Sequence, residues 1–228
     1  MNVSVRTATR RAVMAGLFLL WLSVPGRAQN EAEPAHDTQW WPDTQVNIRL
    51  NEKLTSVLFL TIRPGRNKGA VVTQQYGTGL SWAIHPRLTA ATQYRYILSD
   101  PTETRHATEH RLHVELTPRV PLGKGFTLID RTRGEYRNIN GSVSGRFRNR
   151  VWLEKPLTIH EHRLTPYISG ETYFDTRSHT LSRNQAWVGT RLPVNKHLTF
   201  DLFYMHSWDA RATPGFWHVI GTFLRFDL

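Results

Sequence analysis

Apolar and polar residues alternate along this chain from Thr44 to its last residue, the two-residue period of strands whose faces meet different surroundings. Thr44 to Leu50 sets Val46, Ile48 and Leu50 against Gln45, Asn47 and Arg49. Thr73 to Ile84 places Tyr76, Leu80, Trp82 and Ile84 on one side, and His106 to Thr117 sets Leu112, Val114 and Leu116 against Glu109, Arg111, His113 and Glu115. Leu88 to Leu98, Arg163 to Phe174, Arg183 to Leu192, Leu198 to His206 and Gly215 to Leu228 repeat the alternation, while Leu54 to Arg63 is apolar on both faces. The pattern predicts an all-β chain.

One stretch is charged on alternate positions. Leu128 to Glu154 reads as a hairpin, with Arg131, Arg133, Glu135 and Arg137 on one face of the first strand and Arg146, Arg148, Arg150 and Glu154 on the same face of the second, joined by Asn, Gly and Ser. So many charges do not line an apolar core. They suit the polar interior of a membrane barrel whose other face meets lipid.

The connections favour that barrel. Short turns near Asn51, His85, Lys155 and Asn195 alternate with longer polar segments near Arg66, Thr102, Asn140, Arg177 and Ala212. That is the pattern of short periplasmic turns and longer outer loops. Phe216, His218, Ile220, Thr222, Leu224, Phe226 and Leu228 alternate to the end of the chain, as expected of a closing strand. Trp40, Trp41, Trp82, Phe126, Trp208, Phe216 and Trp217 lie near predicted strand ends, as interfacial girdles do. The expected fold is therefore a single antiparallel transmembrane β-barrel of about 10 to 12 strands, twelve being favoured because bacterial barrels usually have even counts. Residues 40–228 would form it, and residues 29–39 would be irregular. Leu112, Val114, Leu116, Val188, Leu202, Ile220 and Leu224 are expected to face lipid; Asn149 falls on the same face and is the polar exception.

Residues 1–28 carry the marks of a secretory signal: Arg6, Arg10 and Arg11, an apolar run from Ala12 to Val24, and small residues before a cleavage site after Ala28. The apolar run falls short of the roughly 20 residues a membrane helix needs. Four of the 29 Lys and Arg and none of the 18 Asp and Glu precede residue 29, which leaves the mature chain at +7 with His neutral. A basic exported protein suits anionic surfaces or ligands. The chain has no Cys, which excludes a disulfide framework and thiolate metal sites.

Arg146-Phe147-Arg148-Asn149-Arg150, the following Glu154-Lys155-Pro156 turn, Pro166-Tyr167 and Glu171 together resemble a family of bacterial outer-membrane-type barrels known as a domain of unknown function. Arg183, Gly189 and the terminal strand sit as that pattern expects. The resemblance spans about Trp40 to Leu228 and implies an outer-membrane barrel without an assigned activity.

If the strand faces are right, Arg95, Glu109, Arg111, Glu115, Arg131, Arg133, Glu135, Arg137, Arg146, Arg148, Arg150, Glu154, Glu171, Arg183 and Arg191 line the lumen, which is then net positive. Cross-strand pairing would make them a structural ladder. An open row of arginines would make them a narrow path for small anions. Spacing of His106, His110, His113, His160 and His162 gives no metal set, and no cofactor is expected. The alternatives are an outer-membrane lipid-modifying enzyme using His206 and Ser207, and a soluble lipocalin-like binding barrel. Adjacent residues on a strand point to opposite faces, which weighs against the first and favours no enzyme. A lipocalin needs a polar exterior. Expected partners are outer-membrane lipid and lipopolysaccharide, which the basic loop Arg63 to Lys68 would meet, and the barrel-assembly machinery during insertion; nucleic acid is not expected. The localisation expected is the outer membrane of a Gram-negative bacterium.

Overall fold

The computed structural model describes residues 36–65, 70–102, 105–211 and 215–228. In these segments the alternating stretches fold as β1 (His36–Arg49), β2 (Leu54–Gly65), β3 (Ala70–His85), β4 (Leu88–Thr102), β5 (Arg105–Gly123) and β6 (Phe126–Ile139). They continue as β7 (Ser142–Glu154), β8 (Leu157–Ile159), β9 (His162–Asp175), β10 (Thr180–Pro193), β11 (Leu198–Asp209) and β12 (Phe216–Asp227). The expected signal peptide, the segment 29–35 and the loop positions Arg66, Asn67 and Lys68 lie outside the described residues.

Consecutive strands pair antiparallel, except that β8 pairs only with β9, and β7 bonds directly to β9. The wall is closed by β1 against β12, in parallel register from His36↔Phe216 to Asn47↔Asp227. Eleven strands therefore form the barrel, and the short extra strand β8 prolongs β7 past Lys155 and Pro156, pairing with β9 in the same register as Glu154↔Tyr167. The parallel seam follows from that number. Neighbours that alternate in direction leave the first and last of an odd set running the same way. The twelve strands of the chain thus do not give an even wall, because β7 and β8 occupy one position in it, and the turn onto β9 falls at His160 and Glu161.

Strands run further into the loop segments than alternation alone indicates. β4 continues to Thr102 and β5 begins at Arg105, so strand occupies much of the stretch 99–105. Asn140 and Gly141, at φ 49° and 84°, close β6 onto β7 in a two-residue turn that these two residue types tolerate best. β1 begins at His36, so residues 36–39 are strand rather than irregular chain.

The two faces differ sharply. Leu112, Val114, Leu116, Val188, Leu202 and Ile220 all point outward and are exposed, Val114 by 60%. Leu224 is on the same face but half-buried. The girdle residues divide by parity: Trp40, Trp82, Phe126, Trp208 and Phe216 are exposed. Trp41 and Trp217 instead turn inward, because each follows an outward neighbour on its strand, and they join an interior cluster with Tyr167, Phe203, Met205 and Val219. The inside thus has an aromatic side formed by β1 and β9 to β12. Gly221 permits it: a Cβ there would lie 1.8 Å from Cζ of the Phe203 ring.

Candidate functional site

The other side of the interior is ionic. All of the charged residues expected to line the lumen fall on the inward parity of β4 to β7, β9 and β10, and none is exposed. At the centre is Glu135, whose side chain has no exposed surface. Four guanidinium groups reach its carboxylate: Arg146 at 2.5 Å, Arg148 at 3.1 Å, and Arg111 and Arg133 at 3.8 Å each.

The network continues from there in two directions. Glu171 accepts from Arg131 at 3.0 Å and from Arg148 at 2.8 Å. The Tyr173 hydroxyl accepts from Arg148 at 2.8 Å and donates to Gln185 at 2.9 Å. Glu109 accepts from Arg111 and, in a fork, from both Nε and Nη2 of Arg137 at 2.7 and 2.9 Å. Arg133 grips Glu115 with Nε and Nη2 at 2.8 and 2.6 Å. Further along the wall, Glu154 pairs with Arg191 and accepts from the Trp152 indole. Arg183 binds Asp209 at 2.6 Å.

Arginine suits this arrangement because its planar fork bridges carboxylates on neighbouring strands and keeps its charge when buried. Taking so many ions out of water is costly unless nearly every lone pair and N–H is matched, and here most are. The exceptions are informative. Arg95 reaches only Gln93 at 3.1 Å and Gln75 at 3.5 Å and lies over the Phe59 ring, and Arg150 reaches Ser169 at 3.1 Å and lies over Trp187. Among the described residues neither has a carboxylate within 4.0 Å. His113 is buried, and neither ring nitrogen has a hydrogen-bond partner.

Sequence reasoning missed several inward charges. Asp43 pairs with Arg63 at 3.4 Å, Asp175 with Arg137 at 3.1 Å, and Asp201 accepts from the Tyr167 hydroxyl at 2.9 Å. Asp209 belongs to the same face. Arg63 and Arg225 are inward as well, so with these residues added the interior remains net positive, by less than the arginines of the central strands suggest. The parity of their strands was the available signal; Asp175 and Asp209 fall in stretches that read as loops in the sequence, and Asp43 precedes the first alternating stretch.

The proposed hydrolase pair does not meet. Ser207 points inward with no exposure and accepts from Gln185, while His206 points outward against Trp208 and His218, ring centroids 4.2 and 4.7 Å away. Among the described residues no His, Asp and Glu cluster has the geometry to hold a metal ion.

Residues 38–217 match the family model described as a protein of unknown function, DUF2490. The chain belongs to that family. This is the likeness carried by Arg146 to Arg150, Pro166-Tyr167 and Glu171, most of which the DUF2490 barrel uses as parts of its interior network or of the strands that present it. No curated protein matches the chain. Among solved structures, LpxR from Salmonella typhimurium is similar at 10% identity and a TM-score of 0.48, over 76% of this chain and 83% of that one. The translocator domain of autotransporter NalP from Neisseria meningitidis is similar at 14% identity and 0.37, over 74% and 71%. The siderophore receptor PirA from Pseudomonas aeruginosa is similar at 14% and 0.30, over 75% and 35%.

Proposed function

We propose that the protein is an integral barrel of the Gram-negative outer membrane whose interior is shut by the arginine–carboxylate network, so that it spans the bilayer as a closed wall and acts through its surfaces. The carrying observation is the burial of Glu135 beneath four guanidinium groups contributed by β5, β6 and β7. Charges that bridge strands in this way brace the wall and fill it. Barrels of eight strands are filled by side chains and those of 16 to 18 hold a channel. An eleven-stranded wall lies between these limits, and here Arg, Tyr and Trp occupy the difference.

The outward band of Leu, Val and Ile, with Trp40, Trp82 and Trp208 toward the strand ends, supports placement in lipid rather than a soluble binding barrel. In this placement residues 1–28 are an export signal, the Asn140 end faces outward toward lipopolysaccharide, and the assembly machinery for barrels inserts the chain. Membrane fractionation tests the placement. The protein is expected to pellet with outer membranes, to resist alkaline extraction and to migrate faster on gels before heating than after. Release by salt alone would contradict it.

Arg95 and Arg150, which lack carboxylates, favour a second reading, a narrow passage for small anions. Chloride or phosphate efflux from proteoliposomes separates the two: the closed wall leaves efflux at the level of empty liposomes.

A further inference from the structure

The ladder between β1 and β2 stops partway along the wall. It runs from Arg49↔Thr55 to Asp43↔Thr61, yet β1 continues to His36 against β12 alone and β2 continues to Gly65 against β3 alone. The sequence explains where it stops. The Leu50 N–H donates to the Leu54 carbonyl, and backbone groups point to alternate sides along a strand, so the even-numbered residues of β1 and β2 face each other. The next hydrogen-bonded pairs in that register would be Pro42 with Ile62 and Trp40 with Pro64, and proline has no N–H to donate. Each pair has lost a donor, which is how prolines mark a strand edge.

The result is a slit at the end of the wall that carries the Asn140 turn. Trp40 and Ile62, both exposed, flank it on the outside. Inside, the Arg63 guanidinium lies 3.6 Å over the Trp41 ring and reaches Asp43 at 3.4 Å, so a side-chain clasp closes what the backbone leaves open. The clasp is loosely tied. The Arg63 Nε is buried without a partner, and the Pro42 carbonyl, in place of a ladder bond, accepts from the Thr61 hydroxyl at 3.4 Å.

Backbone left out of its ladder is tolerated at membrane depth only where something polar satisfies it. Among the described residues, the Trp40 and Ile62 N–H groups face the slit with no ladder partner, and Arg63 lies behind them in an interior that is net positive. Acyl chains offer these donors nothing. We propose that the slit holds the anionic headgroup, a phosphate or carboxylate, of an outer-leaflet lipid whose acyl chain lies outside along Trp40 and Ile62. The proposal rests on the membrane placement above and leaves the interior shut, because the headgroup stops at the clasp.

The probe is dodecyl phosphate with a diazirine beside the phosphate, photolysed with the purified full chain in dodecyl maltoside and mapped by peptide mass. Label is expected on Trp41, Asp43 or Arg63, inward residues that a probe merely dissolved in the micelle does not reach, and unlabelled dodecyl phosphate is expected to compete. Arg63→Gln is expected to reduce this label at least about tenfold, the worth of a charge-assisted hydrogen bond. Pro42→Val with Pro64→Val, which supplies both missing donors and lets the ladder close, is expected to reduce it as far while the heat-dependent gel shift persists. Label confined to outward residues, or inward label undiminished in either folded variant, overturns the proposal. Competition by inorganic phosphate as strong as that by dodecyl phosphate also overturns it, in favour of a free-anion site. With wild type in the outer-membrane pellet, these outcomes leave the placement standing; absence from that pellet overturns both.

Discussion

Arg133 and Arg148 stand directly opposite each other on β6 and β7. Like charges in that position are ordinarily repulsive. Here each is turned to its own carboxylates, Arg133 to Glu115 at 2.6 Å and Arg148 to Glu135 at 3.1 Å and Glu171 at 2.8 Å, so the repulsion between two strands becomes attraction across four. Cohesion of the interior depends on the acids more than on the more numerous arginines.

Removing the central acid therefore has a large effect. Glu135→Leu leaves four guanidinium groups facing a buried apolar side chain, and loss of one partner from a buried ionic set costs about 3 to 5 kcal/mol. The temperature at which the folded gel band converts to the unfolded one should fall well below wild type, while Glu52→Gln in an exposed turn leaves it unchanged. Equal conversion temperatures for Glu135→Leu and wild type would show that the network contributes nothing to stability.

Outward positions respond to charge in the opposite sense from inward ones. Val188→Arg and Leu202→Arg place a guanidinium in the apolar band and should each cost about 2 to 4 kcal/mol near mid-depth. Urea unfolding of the inserted barrel measures this directly. Unchanged midpoints would mean that these strands face something other than lipid.

Gly221 and Gly134 make a matched pair for testing interior packing. A Cβ at Gly221 would fall 1.8 Å from the Phe203 ring, whereas at Gly134 it meets only Phe147 at 3.9 Å. Gly221→Ala should destabilise by at least about 1 to 3 kcal/mol through overpacking, and Phe203→Leu should restore part of the loss. Gly134→Ala should be tolerated. The reverse ranking would place Phe203 outside the barrel.

Thiol labelling of whole cells fixes the orientation. Ser142→Cys, beside the Asn140 turn, should react with a membrane-impermeant maleimide, and Lys196→Cys, in the turn between β10 and β11, should react only after the outer membrane is permeabilised. Labelling of Lys196→Cys on intact cells would invert the topology.

Much of this fold was legible because period-two alternation fixes which face each residue takes; Glu135, Arg146 and Arg148 could be placed together without coordinates. The partners within that face were not legible. They depend on strand register: Arg148 lies opposite Tyr173 yet binds Glu171, two residues away on β9. The aromatic half of the interior was missed for a related reason. Tyr167, Gly189, Phe203 and Gly221 form one cross-strand row from β9 to β12, and Trp41 joins it only because β1 closes on β12. The alternation itself marks eleven strands, the number in the wall, and twelve is favoured only because bacterial barrels usually have even counts.

Current through single barrels in a planar bilayer tests the closed interior most directly. Purified wild-type protein, inserted and shown to be folded by its gel shift, should carry no steady conductance above the bare membrane at any modest voltage. A stable anion-selective current in the wild type, lost in Arg131→Glu and Arg148→Glu, would contradict the closed wall and establish the arginines as the lining of an open path.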